Sequence, residues 1–108
     1  MFKAVLATFK REITVKVPVD GGFEKQTMKV TYNALPISET EELVFSEQAD
    51  LKAYVNKMTN RIDDVAGEDD EPLEWNDELR AQLLDIPFVF SAILDGYQAT
   101  LAEARAKN

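Results

Sequence analysis

The residues that could do chemistry are unevenly represented in this chain of 108 residues, which has no His and no Cys. That removes the imidazole base, the thiolate nucleophile, the disulfide, the zinc finger and the usual haem ligation together. Ser38, Ser46 and Ser91 are the only serines. Without a His partner or a Gly-x-Ser-x-Gly elbow they make no nucleophilic triad. Gly21-Gly22 runs into Phe23 and not into Lys-Ser/Thr, so it is no phosphate loop. Carboxylates are abundant, with nine among the sixteen positions from Asp63 to Glu78. Any metal would have to be held by such hard oxygen ligands, and an EF-hand loop would need them at alternate positions before a Gly and a closing Glu. Counted from Asp63 the third position is Val65, and counted from Asp69 it is Glu71 with Leu73 at the fifth. Neither register fits. Glycoside hydrolysis needs one carboxyl whose pKa is raised in an apolar pocket and a second across the substrate, and no spacing here singles out a pair. The residues assign no catalytic, cofactor-binding or metal-binding group, so the expectation is a non-enzymatic protein without a cofactor.

Aromatic side chains are the other candidates, because they anchor binding surfaces. Trp75 stands in Pro72-Leu73-Glu74-Trp75-Asn76, just before a helix start. It reads first as a hydrophobic staple on that helix and second as an exposed binding anchor. Phe88, Phe90 and Tyr97 gather near the C-terminus. Phe90 and Tyr97 share a helical stripe, while Phe88 and Val89 widen the apolar surface around the helix. Such a helix lies in a crowded core or meets a partner. These four residues are the candidate client-binding or self-association contacts.

The elements that must carry them follow from a change of hydrophobic period. Ile13, Val15 and Val17 alternate with Thr14 and Lys16, and Met28, Val30 and Tyr32 alternate with Thr27, Lys29 and Thr31. Period two in β-branched company predicts two half-buried strands. The glycines of Asp20-Gly21-Gly22 supply a reversal through a loop longer than two residues, and Pro18 should mark a strand end. Residues 1–10 fit a helix or a strand, with strand preferred. From Ser38 the period becomes helical. Ser38-Glu39-Thr40-Glu41 has the form of a capping box and predicts a helix over 38–46. Leu51, Tyr54 or Val55, Met58 and Ile62 trace a second helix, ended by Gly67 at the latest. Asn76 is a good N-cap for a third carrying Leu79, Leu83 and Leu84, and Pro87 suits the first turn of a fourth with Phe90, Ile93, Tyr97, Leu101 and Ala104 on one stripe. The expected class is α+β, an N-terminal antiparallel β-hairpin or small sheet followed by about four helices. The length suits a single domain over 1–108, with a β-rich part at 1–35 and a helical part at 36–108 that contains an acidic loop at 63–74.

Charge divides along the same line. Twelve Lys and Arg against twenty Asp and Glu leave a net charge of −8. Residues 1–33 hold six basic and three acidic groups, a net of +3, and the rest hold six and seventeen, a net of −11. An overall acidic chain argues against a nucleic-acid binder, since phosphate affinity comes from clustered cations. Met1 to Leu6 give a short stretch that is apolar apart from Lys3, but Lys10, Arg11 and Glu12 follow too soon for a signal peptide. No stretch approaches the roughly 20 apolar residues of a membrane span. The expectation is a soluble intracellular protein with neither membrane nor nucleic acid among its partners.

The C-terminal half resembles the tail assembly chaperones of long-tailed, siphovirus-type phages and prophages. Glu68-Asp69-Asp70-Glu71-Pro72-Leu73-Glu74-Trp75-Asn76-Asp77-Glu78-Leu79 is similar to that family's Asp/Glu-rich loop, which ends in a Pro-Leu-x-aromatic-Ser/Asn step opening a helix. Leu83-Leu84-Asp85-Ile86-Pro87-Phe88-Val89 resembles its short leucine helix and Pro break. Ala92, Ile93 and Tyr97 match its Ala-Ile/Leu-x-x-x-Tyr pattern, followed by the Ala104-Arg105-Ala106-Lys107-Asn108 ending. Upstream, Val17-Pro18-Val19-Asp20-Gly21-Gly22 looks like its hairpin turn. Many relatives carry a Gly-Trp segment where this chain has Asn60 to Val65, so no role for such a Trp carries over.

The resemblance implies a viral protein that binds the tape-measure protein, keeps it soluble and helps recruit the major tail tube protein. It further implies self-association, action in the cytoplasm of the bacterial host and absence from the mature virion. A net charge far from zero suits a soluble complex with a sticky client, and many weak contacts along a long client favour several chaperone copies. Two other functions fit the composition. One is an acidic inhibitor that mimics nucleic acid on a basic protein surface. The other is a structural phage tail subunit.

Overall fold

Alternation of β-branched residues builds a long hairpin. Strand β1 (Thr8–Val19) and strand β2 (Gly22–Asn33) pair antiparallel over their whole length, from Thr8 opposite Asn33 to Val19 opposite Gly22. The connection is therefore only Asp20-Gly21, with Gly21 at φ +83°, and the longer loop expected from the sequence is not formed. Pro18 does not stop the strand because β1 is a sheet edge, where a residue without an N–H can face solvent. The computed structural model describes residues 1–106, so Lys107 and Asn108 of the family-like ending lie outside the described residues. Of the N-terminal ten, only Thr8 onward is strand.

The helical part differs from the sequence expectation in two places. Helix α1 (Gln48–Met58) stops earlier than predicted, and Ile62 belongs to a third strand, β3 (Thr59–Asp63), antiparallel to β2 with a bulge between Thr31 and Tyr32. Thr59 ends the helix: its backbone turns extended, and its hydroxyl donates to the Val55 carbonyl at 2.8 Å. The sheet order is β1-β2-β3, so the β part draws its third strand from the helical half of the chain. The predicted helix over 38–46 is only a 3-10 turn at Ile37–Glu39. Ser38 sits inside that turn with no capping bond, and the Val44 N–H is taken by the Asp50 carboxylate. So short a segment does not meet the cost of helix nucleation without a continuous buried stripe. Helix α2 (Asp77–Leu84) and helix α3 (Pro87–Ala106) start where the sequence placed them, and the Asn76 side chain accepts the Leu79 N–H at 2.8 Å. The result is an α+β fold with three α-helices among the described residues, where about four were expected.

All three helices lie on one side of the sheet. Ile13, Val15, Met28, Val30, Tyr32 and Ile62 point into the core against Val55, Met58, Leu83, Val89, Ile93 and Tyr97. Lys10, Glu12, Thr14, Lys16, Thr27 and Lys29, on the alternate positions, stay exposed. Helix α3 reaches β1 closely because Gly96 has no side chain: a Cβ there would lie 2.5 Å from Ile13 Cδ1 and 2.7 Å from the Tyr32 hydroxyl.

Candidate binding surface

The candidate aromatics separate into different environments. Tyr97 is 3 % exposed and belongs to the core. Its ring packs on Phe9, Tyr32 and Tyr54 with centroid separations of 6.0, 5.6 and 6.0 Å, and its hydroxyl accepts the Leu35 N–H at 3.0 Å. Tyr97 presents no contact surface in this fold. Tyr32, beside it, donates its hydroxyl to the Ile93 carbonyl at 2.8 Å. Burial pushes the Tyr32 phenol above its ordinary pKa, the Asp95 carboxylate adds to the rise, and the Arg11 guanidinium partly offsets it. Tyr54 is shifted the same way by burial.

Trp75 is half-buried, but its partner is not the apolar residue a hydrophobic staple would supply. The position four residues into α2 is Arg80, whose guanidinium lies 5.2 Å from the Trp75 ring centroid. The same guanidinium donates to the carbonyls of Thr59 and Asn60 at 2.8 and 2.9 Å. Trp75 is thus the platform on which Arg80 ties α2 to the junction of α1 and β3. Arg80 was not visible as a key residue in the sequence, because its acceptors are backbone carbonyls from a strand whose existence was missed.

Phe88 and Phe90 flank the start of α3 on different sides. Phe90 is half-buried and borders a depression with Leu51, Leu84 and Pro87. Phe88 is 36 % exposed and stands at one end of a groove of about 570 Å³ between β1 and α3. Ile13, Ala92, Gly96 and Ala99 give that groove a floor of small and aliphatic side chains, and Glu12, Lys16 and Asp95 give it a charged rim. From Pro87 to Ala99 the groove follows about 18 Å of helix. The small residues at 92, 96 and 99 have the helical spacing of one face, a signal present in the sequence and overlooked beside the aromatic stripe. On the other side of Phe88 a second depression, of about 230 Å³, joins Val15, Val17, Met28, Val65, Leu83 and Val89.

The acidic loop is tied to itself through its backbone. Leu73 N–H bonds the Val65 carbonyl at 2.8 Å, Gly67 N–H bonds Glu71 at 3.0 Å, and Ala66 bridges to Pro72. Asp64 and Asp70 adopt left-handed backbone angles at φ 64° and 61°. Among the described residues no three acidic side chains group as metal ligands. Nor is any helix among them long and apolar enough to cross a membrane. No family model, no curated protein and no solved structure matches the chain.

Proposed function

We propose that this protein is a non-enzymatic assembly chaperone of the phage-tail kind, binding apolar helical segments of a tape-measure protein in the host cytoplasm and leaving before the virion is complete. The observation that carries the reading is the groove along α3. It is open, apolar on its floor and charged on its rim, and its length matches about three turns of a client helix. Such a groove buries one face of an amphipathic helix while its rim keeps the complex in water. The small residues Ala92 and Ala99 let a client backbone approach on either side of Gly96, whose own open side Ile13 fills, and Phe88 supplies the aromatic anchor at one end. Recruitment of tail-tube subunits would then use surfaces that the bound client leaves free.

Co-expression with the tape-measure protein tests the reading. Wild type is expected to keep the client soluble and to copurify with it. Phe88→Asp, folded by circular dichroism, is expected to lower client affinity by at least about tenfold. Phe90→Asp serves as the comparison on the other side of α3. Equal rescue by wild type and Phe88→Asp would remove the groove from the mechanism, and no rescue by wild type would remove the chaperone function itself.

One observation favours a second reading. A nucleic-acid mimic needs carboxylates on a fixed backbone, and the backbone of the acidic segment is held by its own hydrogen bonds. Its partner binding would fall steeply with salt, whereas burial in an apolar groove would respond weakly.

A further inference from the structure

The sheet face turned away from the helices is basic on an otherwise acidic protein. Register places Lys10, Lys16, Lys25, Lys29 and Arg61 there with Glu12 and Asp63, five cations against two carboxylates. Only Arg61 and Asp63 pair, at 2.8 Å. The four lysines form no ion pair with any described residue. Lys16 and Lys25 stand directly opposite each other in the ladder. Like charges facing across strands repel, and an anion lying over both relieves that repulsion. The complementary surface is on the same chain. Residues 64–78 contain eight carboxylates and no Lys or Arg. Glu68, Asp69, Asp70, Glu71 and Glu74 are all exposed, on a backbone tied by hydrogen bonds within the segment. None of these acids meets a sheet cation within one molecule.

We propose that the basic sheet face of one copy receives the acidic segment of a second copy, head to tail. With each copy giving its acidic segment to one neighbour and its sheet face to another, the contact is heterologous and propagates into rings or open chains. The two twelve-residue strands at about 3.3 Å per residue and about 4.8 Å per strand give a face of roughly 40 Å by 10 Å, which the five-residue β3 widens over about 17 Å at one end. That is about half the roughly 800 Å² per partner of a stable interface, so each contact is weak and electrostatic. The proposal rests on charge placement alone and holds whatever the α3 groove binds.

Sedimentation velocity on the full chain, over a concentration series at low and high salt, tests it. Wild type is expected to associate at low salt, with an apparent dissociation constant rising at least about tenfold as the Debye length shrinks from about 30 to about 3 Å. Lys16→Glu/Lys25→Glu/Lys29→Glu and Glu68→Lys/Asp69→Lys/Glu71→Lys, each folded by circular dichroism, are each expected to be monomeric. Mixing the two variants restores association, since each then offers the surface the other needs. A monomeric wild type at low salt overturns the proposal, as does association that survives both triple substitutions and so belongs to the β1 edge or the α3 groove. Failure of the mixed variants to associate overturns it as well, and would leave an external polyanion as the occupant of the basic face.

Discussion

At the residue scale, close packing decides two positions. Gly96 is a helix residue whose replacement by Ala would gain up to about 1 kcal/mol of intrinsic helix preference. The added Cβ, however, would lie 2.5 Å from Ile13 Cδ1 and 2.7 Å from the Tyr32 hydroxyl. Overpacking outweighs propensity, and Gly96→Ala is expected to destabilise by about 1–3 kcal/mol in urea unfolding. Ile13→Val removes the Cδ1 atom, so the double variant should lose less than the two single losses combined. A stabilised Gly96→Ala protein would contradict the close approach of α3 to β1. Tyr32 adds a pH dependence. Burial raises its pKa, so the folded state holds the phenolic proton more tightly than the unfolded chain, which ionises near pH 10. The stabilisation is complete below about pH 10 and is lost as pH climbs through the higher folded value; Tyr54 acts in the same direction. Tyr32→Phe gives up the 2.8 Å bond to Ile93. It should cost about 1 kcal/mol at neutral pH. Above pH 10 it should show a shallower loss of stability, read from thermal melts across the alkaline range.

At the element scale, the legible parts of the sequence were those whose signals are local. The Asn76 cap is met by a bond to Leu79 three residues on, and Asn76→Ala should cost about 1 kcal/mol in the melting of the whole domain. Alternation from Ile13 to Val17 and from Met28 to Tyr32 gave the hairpin for the same reason: period two states which side faces the core. Strand β3 was illegible because Leu51, Val55, Met58 and Ile62 continue a helical spacing across the point where Thr59 turns the backbone extended. Only β2, far away in sequence, makes Ile62 a strand residue by facing it with Val30. Tyr97 drops out of the expected contact residues by the same logic. Phe90 and Tyr97 share a stripe, but whether a stripe meets a core or a client depends on Phe9, Tyr32 and Tyr54, which the tertiary fold brings to Tyr97. The α2 anchor follows suit. Arg80→Lys keeps the charge but loses the planar fork that reaches two carbonyls while lying over Trp75. It should destabilise by about 1–3 kcal/mol, and α2 amides should exchange with solvent faster than those of α3.

At the scale of the whole molecule, the net charge of −8 conceals two surfaces of opposite sign and a third that is apolar. The basic sheet face and the acidic segment act at range and weaken with salt, whereas the α3 groove acts by contact and does not. The two properties proposed for the chain are therefore separable by ionic strength in one experiment. A client segment labelled for fluorescence anisotropy is titrated with protein at low and high salt, with sedimentation run on the same samples. Raising salt from about 0.01 M to about 1 M should dissolve the assemblies into single copies while leaving the affinity of each copy for the client within a few-fold. Phe88→Asp should give the reverse pattern, intact assemblies with weakened client binding. If client affinity and assembly instead rise and fall together, both depend on one surface. The groove beside Phe88, being next to the Lys16 rim of the basic face, would then be part of that surface and not a separate site.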